Sequence, residues 1–256
     1  MAGAGPQPTR NASSNAGPRP GPRVPIWEWP EHGERGPKPR HSRAAIAATA
    51  IRLADAEGLD AVTMRRLAAE LGLGTMSLYN YVPTKDHLVQ LMIDQTAGEY
   101  AYPRTLPRDR RSAIVDLARQ GRDITQRHPW LPRVLHRPPS FGPNALRYVD
   151  YFLGLLADSG RDTGAKLEVL ALVNGFAVMY GGVQAALAEE RASTGVTVEA
   201  QAAEQVAALV TAAASGRYPN LAAAVAADAT PRDPEEIFDS CVVRLVEGVL
   251  ADRDAR

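Results

Sequence analysis

The sequence predicts an all-α protein in which a small N-terminal three-helix domain precedes a larger helical one. Three observations predict it. Aromatics make up only 6% of the 256 residues while alanine is abundant, a composition that favours close-packed helices over sheets. From residue 42 onward, every periodic segment repeats its apolar positions at helical spacing. Glycine, proline and short polar residues then fall where helices must start and stop.

Residues 1–40 are dense in proline and glycine, lack periodicity and read as a disordered arm. Ile26-Trp27-Glu28-Trp29-Pro30 stands out within it. Its tryptophans suit docking on the protein's own body or on a partner, and equally a loose tail. Arg35, Lys38, Arg40 and Arg43 lead into the first helix. They read either as a basic arm lying along phosphates or in a minor groove, or as a solvated linker.

Ser42 reads as the cap of that helix, with Ile46, Ala50, Leu53 and Ala54 as its apolar stripe and Gly58 as its end. Thr63 caps the second, whose buried side is Met64, Leu67, Ala68 and Leu71. Gly72-Leu73-Gly74 supplies a turn, because glycine tolerates positive φ where a helix stops. Thr75 is read as the cap of the third helix, and Pro83 as its end. Thr84 caps a fourth running to about residue 100 with Leu88, Leu91 and Met92 inward. Pro103 and Pro107 mark the break to a second region, giving domains at 41–102 and 103–256. Helices are expected there near 108–127, 129–136, 142–158, 163–191, 198–215 and 234–252, the last opened by Asp233-Pro234-Glu235-Glu236.

Two short helices around a glycine-bounded turn are the build of a helix-turn-helix, whose second helix lies in the major groove of DNA. On the third helix Leu78 and Val82, four residues apart, point into the small core. At 100° per residue Met76, Ser77 and Asn80 face away from them, and Tyr79 flanks. Asn can pair with adenine edges, Thr75 and Ser77 with base edges or phosphates, and Met76 can press on a thymine methyl. Tyr79 and Lys85 suit phosphates, Lys85 with the free N–H groups of the fourth helix. Arg65 suits phosphate or base; Arg66 reads as surface cover. For Tyr81, core burial and a backbone contact both stay open.

Net charge is zero, but residues 1–85 hold 11 Lys/Arg against 7 Asp/Glu, a surplus of four. Such a surplus fits a protein touching a few phosphates, not one that coats DNA. No segment reads as spanning a membrane, the N-terminus lacks a signal-peptide pattern, and the single Cys241 forms no internal disulfide. A cytoplasmic protein without cofactor or metal is expected. No nucleophile–base motif or phosphate loop points to an enzyme.

Residues 42–92 resemble the N-terminal DNA-binding domain of the TetR/AcrR family of bacterial transcriptional regulators. Thr63-Met64-Arg65-Arg66-Leu67-Ala68-Ala69-Glu70-Leu71-Gly72, Ser77-Leu78-Tyr79-Asn80-Tyr81-Val82 and Lys85 carry the resemblance. Region 108–252, with His128-Pro129-Trp130 and Gly142-Pro143-Asn144-Ala145-Leu146, is similar to the C-terminal domain of the tetracycline-repressor branch. The resemblance implies DNA contacts at Arg65, Thr75, Ser77, Tyr79, Asn80, Tyr81 and Lys85. Many relatives carry His or Phe where this chain has Tyr81. With the residues' own chemistry, the candidate DNA set is Arg43, Thr63, Arg65, Thr75, Met76, Ser77, Tyr79, Asn80, Tyr81 and Lys85.

The resemblance also implies a homodimer and a small-molecule site in the second domain. A lone helix-turn-helix reads only a few base pairs, which independently favours paired half-sites. The Ala/Gly-rich 163–191 segment and the last helix are the candidate dimer interface, with intramolecular packing as the alternative. Ligand candidates are His128, Trp130, Tyr148, Tyr151, Phe152, Asn174, Met179 and Tyr180, with core packing as the alternative for the aromatics and a helix-end cap as the alternative for His128 before Pro129. Asn174 lies in an apolar run and needs a polar partner, either another helix or a ligand. The expected function is a repressor released from a palindromic operator by a small molecule. The alternative is an effector-independent DNA-binding protein, constitutive or architectural.

Overall fold

The computed structural model describes residues 25–29, 41–135, 141–226 and 233–251, which among them form ten α-helices and no strand. Four helices build an N-terminal head: α1 (Arg43–Glu57), α2 (Met64–Glu70), α3 (Thr75–Tyr81) and α4 (Lys85–Ala97). Three begin as the cap residues predict. Ser42 accepts from the Ala45 N–H, Thr63 from Arg66 and Thr84 from His87, each filling a donor that a helix start leaves open. The third helix departs by one residue: Gly74 is its cap and Thr75 its first helical residue. Ile46, Leu53, Leu67, Leu78, Val82, Leu88 and Met92 make the head's core.

The body contains α5 (Arg110–Arg127), α6 (Pro143–Leu155), α7 (Thr163–Thr194), α8 (Val198–Ala214), α9 (Pro219–Ala226) and α10 (Pro234–Ala251). The helix expected over 129–136 shrinks to a 3-10 turn at Leu131–Arg133, because Pro129 and Pro132 each remove a backbone donor. The short α9, with proline at its first position, is absent from the sequence reading.

The most extensive packing in the body is between α5 and α7. Glycine permits it: a Cβ on Gly181 would lie 2.6 Å from the Arg122 carbonyl oxygen. Arg122 also donates to both carboxylate oxygens of Glu235 at 2.8 and 2.7 Å and lies over the Phe238 ring, tying α5 to the start of α10.

Residues 169–188 carry no charged side chain. Among the described residues α7 alone is long and apolar enough, by length and composition, to cross a membrane. That corrects the reading that the sequence holds no uncharged run of such length, and one such helix does not by itself make a membrane span. One face of α7 packs on α5 and α10 through Val169, Val173 and Ala177. Leu172, Met179 and Val183 stay exposed, as do Val198, Val206, Leu209 and Val210 of α8.

Head and body share a seam. Ile124, Trp130, Leu131 and Val134 belong to the head's core although they follow the break at 103. Helix α6 has no side-chain cap from its own N-cap residue, Gly142. Instead Asp94 of α4 reaches across: its Oδ1 accepts from the Asn144 and Ala145 N–H groups, both at 3.0 Å, and its Oδ2 from Asn144 Nδ2 at 3.1 Å. A Cβ on Gly142 would run into that carboxylate and into Trp27.

Gly181→Ala therefore overpacks the α5–α7 contact. Chemical denaturation of the full chain is expected to show a loss of about 1–3 kcal/mol.

Candidate nucleic-acid interface

The turn between α2 and α3 is set by backbone bonds. Leu73 N–H donates to the Ala68 carbonyl at 2.8 Å and Gly72 N–H to that of Ala69 at 3.1 Å. This paired motif closes a helix through a left-handed residue, and Gly72 occupies it with φ 64°. The chain thus reverses within four residues, Leu71 to Gly74, and α3 starts against α2.

Helix α3 buries Leu78 completely, and Val82 just beyond it is also fully buried. Its opposite face is free. Met76 is 78% exposed, Ser77 and Asn80 are exposed, and Tyr79 is 39% exposed. Thr75 is half-buried at the helix start. Tyr81 is half-buried and packs against the head's core, on the side away from Met76.

The cations around this face fall into two groups. Arg65 and Lys85 are exposed, and Thr63 is occupied as the cap of α2. Arg66 is committed, donating to Glu57 at 2.8 Å and to Glu70 at 3.2 Å. The Glu70 hydrogen bond, then Glu57, raises its guanidinium pKa further.

Arg43 is the correction. Instead of lying along phosphates, its guanidinium is buried against backbone carbonyls. Nη1 donates to Ile26 at 3.0 Å and Trp29 at 2.8 Å, and Nε to Tyr81 at 3.1 Å. Residues 25–29 thus dock on the protein's own head, with Ile26 fully buried and Trp29 against His87 of α4. Arg35, Lys38, Arg40 and the rest of the predicted arm lie outside the described residues.

The eight ligand candidates are not brought to one place. His128 and Trp130 sit in the head–body seam. His128 lies 2.8 Å from Asp55 through Nδ1 and 2.8 Å from Glu99 through Nε2, and Trp130 donates to Asp55 at 2.8 Å. Burial pushes Glu99 up, but hydrogen bonds from Arg127 and His128 outweigh it and hold its carboxyl below the ordinary glutamate range.

Tyr148 and Phe152 are buried in the body's core. The amide of Asn174 finds its partner on another helix, accepting from the Tyr148 hydroxyl at 2.6 Å. Burial pushes the neighbouring Tyr100 phenol up to about 12 and Tyr148 well above its usual value, so both remain neutral donors at ordinary pH. Tyr151 stacks on Tyr102, Tyr180 lies against Phe238, and Met179 is exposed. Two clefts, of about 260 and 220 Å³, are lined by Arg111, Asp116, Arg119 and Asp239, and by Tyr100, Tyr102, Asn144 and Arg147, respectively. None of the eight candidates lines either.

A four-helix head that leaves one face of α3 exposed, borne on a larger helical body, defines a helix-turn-helix regulator of the two-domain class. Comparison with known proteins supplies the family. Residues 46–92 match the model for bacterial regulatory proteins of the tetR family, and 103–253 that for the tetracyclin repressor-like C-terminal domain. The HTH-type transcriptional repressor DrrR1 of Streptomyces coeruleorubidus is 36% identical over 198 residues, 77% of this chain and 73% of that one. An HTH-type transcriptional regulator of Saccharopolyspora erythraea is 30% identical over 60% of this chain and 64% of its own. Apo ActR from Streptomyces coelicolor is 26% identical with a TM-score of 0.66, over 83% of this chain and 98% of that one. The chain belongs to the TetR family of transcriptional regulators.

Two substitutions separate the cations. Lys85→Ala is expected to weaken binding to all DNA sequences and to flatten the salt dependence by about one phosphate contact. Arg43→Ala is expected to leave that salt slope in place and lower stability by about 2–3 kcal/mol in denaturant titration, since it strips charged donors from buried carbonyls.

Proposed function

We propose that this protein is a cytoplasmic, homodimeric repressor that reads a palindromic operator through α3 and releases it when a small molecule binds the body. The observation that carries the reading is the free polar face of α3 around Met76, on a helix whose other face is sealed into the head. Met76, Ser77, Asn80 and Thr75 read base edges. Arg65, Tyr79 and Lys85 hold phosphates, while Thr63 caps α2 and Tyr81 packs on the head's core behind the face.

Dimerisation is supported by the exposed apolar residues of α7 and α8. It also supplies the second half-site that useful specificity needs. Effector response is supported by relatives. DrrR1 is a repressor, and ActR has been solved in complex with actinorhodin and with (S)-DNPA. A ligand shifts the equilibrium only by the difference in its affinity for the two states. The body must therefore transmit a change through the seam formed by Asp94, His128 and Trp130.

Selection of bound sites from random double-stranded DNA is expected to yield an inverted repeat with half-sites one helical turn or a multiple apart. Asn80→Ala is expected to change the selected bases more than the overall affinity. Actinorhodin, titrated with other small organic molecules into the complex with the selected DNA, tests release. Tight DNA binding that no compound reverses would favour the effector-independent reading.

A further inference from the structure

The seam holds a side chain that the DNA-reading role does not use. His128 follows α5 directly, and its side chain is only 8% exposed. Both ring nitrogens face carboxylate oxygens, and neither carboxylate belongs to its own stretch of chain. Asp55 comes from α1, 73 residues away, and Glu99 from the segment behind α4, 29 residues away. A carboxylate can only accept. A ring bonded to two of them must donate from both nitrogens, which only the imidazolium does.

The surrounding groups balance that charge. Asp55 also receives the Trp130 indole N–H, and Glu99 also receives Arg127 at 2.6 Å. Further along the seam Arg133 faces Asp60 at 3.2 Å. The charged groups around the ring are thus Asp55 and Glu99 from the head, with Arg127 from the body. Trp130, Leu131 and Val134 pack directly behind it into the head's core.

We propose that His128, as an imidazolium clasped between Asp55 and Glu99, is the positioning residue that fixes the reading head on the body. The pose of the head, and DNA binding with it, depends on that ring's second proton. Deprotonation leaves a ring lone pair 2.8 Å from a carboxylate oxygen, so an attraction becomes a repulsion. The clasp is complete only while both ring nitrogens carry protons to donate, one to each carboxylate.

The inference on DNA affinity rests on the proposed operator binding, but the clasp itself is tested without DNA. In the full-length protein, imidazole nitrogen shifts assigned with His128→Gln are expected to show both nitrogens protonated at about pH 6. Calorimetry of the wild type is expected to give one unfolding transition at about pH 6 and two at about pH 9, with the head melting first. His128→Gln should give two at both.

Glu99→Gln distinguishes a clasp from simple packing. Its amide can donate to the neutral ring's free nitrogen while the other nitrogen still donates to Asp55. It should therefore give one transition at both pH values. Affinity for the selected DNA should fall about ten-fold more between these pH values in the wild type than in Glu99→Gln. A neutral ring at about pH 6, or identical pH profiles for wild type and Glu99→Gln, would overturn the proposal. Failure to select any DNA sequence would count against the operator reading and leave the calorimetric result standing.

Discussion

A seven-residue helix cannot hold itself together in water, and α3 has only the seven residues Thr75 to Tyr81. Isolated helices shorter than roughly 12–15 residues are marginal even with favourable sequences. The reading helix therefore exists because the head grips it. Leu78 and Val82 anchor one side in the core, the Gly72 motif delivers its start, and Arg43 binds the Tyr81 carbonyl at its end. All three restraints act from the inner side or the ends. The outward face around Met76 carries no structural duty and is free to meet a partner.

The same economy governs the joint between head and body. It is built from carboxylates on the head that satisfy donors on the body: Asp94 caps α6, Asp55 takes His128 and Trp130, and Glu99 takes His128 and Arg127. Partly buried charges are tolerable only when paired and hydrogen-bonded, and these are. Directional polar bonds fix the angle between the two domains more sharply than apolar contact alone.

Most of the head was legible in the sequence because its determinants are local. Ser42, Thr63 and Thr84 announce helix starts within three residues of the donors they satisfy, and Gly72 announces the turn it occupies. The free face of α3 followed from the spacing of Leu78 and Val82. What the sequence hid was long-range. Arg43 reads as one more cation in a basic run, and only the folded chain brings the Ile26, Trp29 and Tyr81 carbonyls to it. His128 and Trp130 read as pocket residues because nothing near them in sequence points to Asp55 or Glu99. The α9 helix did carry a local signal, Pro219 before an alanine-rich run, without the apolar stripe used to find the others.

On the proposed reading, α3 presents Met76, and not the basic stretch before α1, to the bases. A photocrosslinking side chain placed at position 76 of the full-length protein, bound to its selected DNA, tests this most directly. Crosslinks to bases within each half-site are expected from position 76, and none from the same side chain at position 79 beyond the flanking backbone. Crosslinks at position 76 to no base, with the half-sites still protected, would contradict it.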